Sequence, residues 1–144
     1  MTTPPSLRSS AATTAASSPN TVTLYDLHET LAWILVLSNA AVGAWALAAQ
    51  RLPSLRVTAM WWAVIAAELS TFAIAIVGVL IVNRYDIELD SFHALYGFST
   101  IVAVGILYSY RGSPFVKDKL YMMYGLGSLF IMGLGIRAMY LGTH

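Results

Sequence analysis

Residues 60–82 read MWWAVIAAELSTFAIAIVGVLIV, an apolar run whose single charged residue is Glu68. As an α-helix rising about 1.5 Å per residue, such a run covers the ~30 Å hydrocarbon core of a bilayer. Three further stretches have the same character, at residues 28–49, 92–110 and 120–141. Between them lie Gln50-Arg51-Leu52-Pro53-Ser54-Leu55-Arg56, residues 83–90 with Arg84, Asp86, Glu88 and Asp90, and residues 111–119 with Arg111, Gly112, Pro114, Lys117 and Lys119. Each break joins charges to a turn former or a polar run. A backbone in lipid must satisfy its own hydrogen bonds, and these stretches lack the ~10-residue alternation of a membrane barrel, so all four are predicted helical. The expected fold is all-α, four transmembrane helices in an up-down bundle over residues 24–144.

The composition agrees. Hydrophobic residues make up 58% of the 144 and charged residues 10%, against roughly 25% charged in a soluble domain. Eight basic and seven acidic residues leave a net charge of +1, which excludes a nucleic-acid binder working by phosphate neutralisation and makes the lipid bilayer the first partner. No cysteine is present, so disulfides and thiolate metal sites are excluded. Residues 1–23 are mostly Ser, Thr, Ala and Pro, too polar to bury a core, and are expected to form a disordered tail, either an unmodified leader or a carrier of O-linked sugars. Arg51, Arg56, Arg111, Lys117 and Lys119 flank one side of the spans, against Arg84 and Arg137 on the other. The positive-inside rule then gives a multi-pass plasma-membrane protein with both termini outside.

The first and third spans open alike. Leu27-His28-Glu29-Thr30-Leu31-Ala32-Trp33 parallels Phe92-His93-Ala94-Leu95-Tyr96-Gly97-Phe98, and an acid, Asp26 or Asp90, precedes each histidine. A duplicated helical hairpin is one explanation. Spans one and three run in the same direction, so His28 and His93 lie at the same depth. Two facing imidazoles are the axial ligand set of b-type haem. Ala32 and Gly97, one turn deeper, would leave room for a porphyrin, and Arg84 and Arg137 could meet its propionates. A metal site drawn from Asp26, His28, Glu29, Asp90 and His93 is the weaker use of the same corner, because acids in a first helical turn are favoured by the helix dipole alone. The simplest reading leaves both histidines as interfacial polar residues.

Glu68 is the one acid well inside a span. A charge at the centre of a membrane helix costs about 3 kcal/mol, so the residue is expected to face the bundle, neutral or partnered. Asn39 and Ser128 have similar expected depths and are candidate partners in interhelical hydrogen bonds. Its other reading is a proton or cation site. Small residues recur at Ala40, Ala44 and Ala48, at Ala63 and Ala67, and along the fourth span, faces that let helices approach one another or a further membrane protein.

On the repeated motif, and on Gly105-Ile106-Leu107-Tyr108-Ser109-Tyr110-Arg111 and Met132-Gly133-Leu134-Gly135-Ile136-Arg137-Ala138-Met139, residues 24–144 resemble small four-helix integral membrane proteins of high-GC Gram-positive, actinobacterial type. That resemblance implies a fold and carries no activity or site residue with it. The plan of same-side histidines on alternate helices is also loosely similar to membrane b-type cytochromes and haem A synthase halves. No phosphate loop, dinucleotide fingerprint or serine elbow is present, so an enzyme is not expected. The reading favoured by sequence is a non-enzymatic accessory or scaffold subunit of a cell-envelope or respiratory membrane assembly, bound to another membrane protein or to itself. The alternatives are a small bis-histidine haem b electron carrier and a proton-coupled or ion-handling protein centred on Glu68.

Overall fold

A computed structural model describes residues 22–143. Among these residues the chain is helical, with four long helices: α1 (Leu24–Arg51), α2 (Thr58–Tyr85), α3 (Ser91–Tyr110) and α4 (Leu120–Gly142). Each is long and apolar enough to cross a membrane. Short 3-10 turns at Pro53–Leu55 and Pro114–Lys119 make the first and third connections. The tail expected over residues 1–23 lies outside the described residues up to residue 21; its last residue, Thr23, is the N-cap of α1.

The helices outrun their apolar stretches because polar side chains satisfy their ends. Thr23 and Asp26 form a reciprocal capping box at the start of α1. At its other end, Arg56 Nε donates to the Ala49 carbonyl at 2.8 Å and Nη2 to the Gln50 carbonyl at 3.1 Å, placing a cation on carbonyls that lack intrahelical partners. Helix α4 has no side-chain cap of its own. Instead Gln50 reaches over from α1: its Nε2 donates to the Asp118 carbonyl and its Oε1 accepts from the Met122 N–H, both at 3.1 Å. Asp86 closes α2 in the left-handed conformation, φ 48°, the geometry with which helices commonly end.

The inner face of every helix follows a spacing of alternating three and four residues. In α1 it runs Ala32, Leu35, Asn39, Val42, Ala46, Ala49, all buried. The same step picks out Met60, Val64, Ala67 and Thr71 in α2, Thr100, Val104 and Leu107 in α3, and Tyr124, Ser128, Ile131 and Gly135 in α4. A 3.5-residue period is the seam of left-handed helix packing. The expected small face at Ala40, Ala44 and Ala48 is not this seam, and Ala44 is exposed. Outside it, Trp33, Leu37, Leu69, Ile76, Phe98 and Phe130 are exposed, as lipid-facing side chains must be.

Contact is most extensive between α1 and α4, followed by α1 with α2 and α3 with α4, whereas α2 and α3 touch only lightly. Glycines explain the tight pair. A Cβ on Gly125 would lie 2.6 Å from Leu47 Cγ, one on Gly43 2.8 Å from Leu129 Cγ, and one on Gly135 2.6 Å from Leu35 Cδ2. Each helix thus seats leucines in glycine notches of the other, and this packing holds helices together where lipid removes the hydrophobic drive.

Candidate functional site

The seam places both histidines. Stepping back from Ala32 by four residues reaches His28, and from Thr100 by three and then four reaches Gly97 and His93. Their rings meet with centroids 6.0 Å apart and planes inclined by 49°. The pair spans the bundle from α1 to α3, and both rings are half-buried. His28 packs on α2, where its Cε1 would lie 3.3 Å from a Cβ on Gly78. Its ring also interacts with the Ile74 carbonyl, although Nδ1 is buried without a hydrogen-bond partner. His93 leans on α4, where Gly142 leaves room for the ring and the Ala138 carbonyl lies 2.9 Å from Nδ1. A carbonyl only accepts, so Nδ1 carries the proton and donates it; the neutral ring then presents the Nε2 lone pair. This is the arrangement by which metal-ligating histidines are usually held.

The two acids beside the histidines have other work. Asp90 is the N-cap of α3, its Oδ1 accepting from the His93 N–H at 2.8 Å. Asp26 is the third residue of α1, bonded to the Thr23 N–H at 2.9 Å and to its hydroxyl at 2.6 Å. The repeated acid–histidine signature therefore starts two helices in different ways. Among the described residues no three of the His, Asp and Glu side chains group to hold a metal ion; of Asp26, His28, Glu29, Asp90 and His93, the two histidine rings meet, Asp26 and Asp90 cap helices, and Glu29 is exposed. Asp90→Ala is expected to lower stability by about 1 kcal/mol, and Glu29→Ala by less than half of that. Chemical unfolding midpoints in mild detergent compare them, and equal midpoints would contradict the capping role.

Around the pair, Ala32 is buried, and a Cβ on Gly97 would have nothing within 4 Å. Arg137 lies over the Tyr96 ring at 5.9 Å. Arg84, in the last turn of α2, and Arg137 are both exposed at this end. The opposite end, here the basic end, carries Arg56 over Tyr121 at 5.0 Å and Arg111 over Trp61 at 5.2 Å.

A second polar site lies deeper, about 15 Å along α2 from Thr58 at 1.5 Å per residue. Glu68 is 3% exposed; neither carboxyl oxygen makes a well-formed hydrogen bond, and the Tyr108 hydroxyl is the side-chain donor near enough to act on it. The expected bond to Asn39 or Ser128 is therefore not formed. Asn39 is fully buried and spends its amide N–H groups on backbone instead, on the Leu35 carbonyl at 2.9 Å and the Ala67 carbonyl at 3.5 Å. Ser128 is buried in α4. The groups that act on Glu68 are Tyr108 and Arg111, from the α3 side, and it in turn acts on Tyr124 of α4. Sequence reading missed both tyrosines. Tyr124 was within reach of it, since that residue lies four positions before Ser128 on the seam.

No protein-family model matches the chain, and no curated protein or solved structure matches it.

Proposed function

We propose that this four-helix membrane protein is a small electron carrier of the plasma membrane, with a b-type haem held between His28 and His93. The observation that carries the reading is the 6.0 Å between the two ring centroids. Two imidazoles holding one ion between them, each at a metal–nitrogen distance of about 2 Å, would have ring centres about 6 Å apart. The iron would supply one-electron chemistry. The protein's part is to orient the ligands and to limit water at the iron. The Ala138 carbonyl orients His93, Gly78 and Gly142 give the rings close backbone, and Gly97, where a Cβ would meet nothing within 4 Å, leaves space one turn deeper. Arg84 and Arg137 are the cations at this end for the propionates. With five basic residues at the other end, the positive-inside rule turns the histidine end outward.

The accessory-subunit reading rests on apolar surface and small-residue faces, which any membrane bundle has. The histidine pair is specific to residue and position, and so discriminates.

The test is a visible spectrum, oxidised and dithionite-reduced, of full-length protein purified in mild detergent from cells supplied with haem precursor. A Soret band with reducible α and β bands is expected. A flat spectrum from a folded, haem-supplied sample overturns the proposal and returns the accessory reading to first place.

A further inference from the structure

The histidine pair leaves the deeper site unused. Four side chains near one level of the bundle have buried polar atoms that make no well-formed hydrogen bond: Asn39 Oδ1, both oxygens of Glu68, Thr71 Oγ1 and the Tyr124 hydroxyl. Asn39 is joined to this level through the Ala67 carbonyl, Thr71 lies one turn from Glu68 on the same helix, and Tyr124 is coupled to Glu68 electrostatically. A residue serving only as interhelical glue forms the bond that gives it its worth. Here each buried donor or acceptor left without a bond is costly, and the costs converge on one carboxyl.

The surroundings of that carboxyl differ along the membrane normal. Toward the basic end stand Tyr108 and Arg111 from α3 and Tyr124 from α4; α1 contributes no titratable group. Tyr108 and Arg111 lie in the last turn of α3 and just after it, at that end. Toward the histidine end, one turn beyond Asn39, stand buried Leu35, Val36 and Ile131 together with the hydroxyls of Ser70, Thr71 and Thr100. The titratable groups coupled to the carboxyl thus stand on its basic side, while hydroxyls and aliphatic side chains stand on the other.

We propose that Glu68 is a proton-binding site entered from the basic end, with the Tyr108 and Tyr124 hydroxyls as its relay groups, independent of whether the histidine pair holds haem. The step is R–COO⁻ + H⁺ ⇌ R–COOH, with the proton taken from water at the basic face and no electron exchanged. A proton suits this place better than a metal cation. Arg111 already supplies a positive charge nearby, and a bound alkali ion would add another inside a low-dielectric bundle, whereas protonation leaves a neutral acid. The light packing of α2 against α3, on the side where Tyr108 meets Glu68, gives the relay hydroxyl freedom to move.

Infrared spectroscopy of the full-length protein in lipid vesicles tests this. A carboxylic-acid C=O band is expected that moves to lower frequency in D₂O, is lost in Glu68→Gln and persists in Asp118→Asn. Tyr108→Phe is expected to slow its exchange. A spectrum unaltered by Glu68→Gln, or a Glu68 band that resists deuterium exchange, overturns the proposal. Should Glu68→Gln fail to fold, Tyr108→Phe decides: unchanged band frequency and exchange rate would likewise overturn it.

Discussion

On the proposed haem ligation, His93→Ala is expected to abolish the parent haem spectrum, and externally added imidazole is expected to restore part of it. The substitution removes one of two nitrogens and leaves a ring-sized space between α3 and α4, bordered by Gly142 and the Ala138 carbonyl. Free imidazole fits such a space and can supply the missing ligand. His28→Ala removes the other proposed ligand, on the α2 side against Gly78, and the double variant is expected to show no band at all. Neither histidine belongs to the apolar packing of the core, so both single variants should keep the helical circular dichroism of the parent protein. Spectra from the two folded single variants that match the parent would remove these residues as ligands.

Gly125→Leu is expected to prevent closure of the bundle, and Gly125→Ala to lower its stability by about 1–3 kcal/mol. A Cβ at this position meets Leu47 Cγ at 2.6 Å, Cδ2 at 2.7 Å and, decisively, the Leu47 backbone nitrogen at 3.0 Å. A side chain can rotate away, but a backbone nitrogen moves only with its helix. Gly133 provides the control in the same helix, since a Cβ there has nothing within 4 Å. Gly133→Ala should stay within about 0.5 kcal/mol of the parent. Unfolding midpoints and size-exclusion profiles in mild detergent measure both effects. A Gly125→Ala midpoint equal to that of Gly133→Ala would show that α1 and α4 are not held by this notch.

The four spans were legible because a bilayer imposes a length and a polarity on any helix that crosses it. Their ends were less so. Residues 24–27 precede the first apolar stretch, yet the Thr23–Asp26 box makes them helical. The inward seam was also written in the sequence, as His28, Ala32, Leu35, Asn39, Val42, Ala46 and Ala49. A strict fourth-residue pattern such as Ala40, Ala44, Ala48 turns about 40° further at each step at 100° per residue, so it leaves the interface. Alternating threes and fours nearly cancels that drift. The meeting of the two histidines could be guessed from their shared depth, but not their diagonal approach, which depends on α1 pairing more closely with α4 than with α2. Tyr108 and Tyr124 beside Glu68 were out of reach for a similar reason. Their association depends on how far three helices slide along one another, and hydropathy carries no record of that offset.

The pairing of α1 with α4 also bears on biosynthesis. Gln50 of α1 and the Met122 N–H of α4 that it caps are 72 residues apart, and α2 and α3 are translated between them. A chain emerging from the ribosome with three helices inserted still has Leu35, Leu47 and Gly43 of α1 without their α4 partners, and His93 has yet to acquire the Ala138 carbonyl. The bundle therefore matures in one late event, when α4 enters. Loading of any prosthetic group between the histidines belongs after that event, and a nascent chain arrested before α4 would present an unfinished helix surface to membrane quality control.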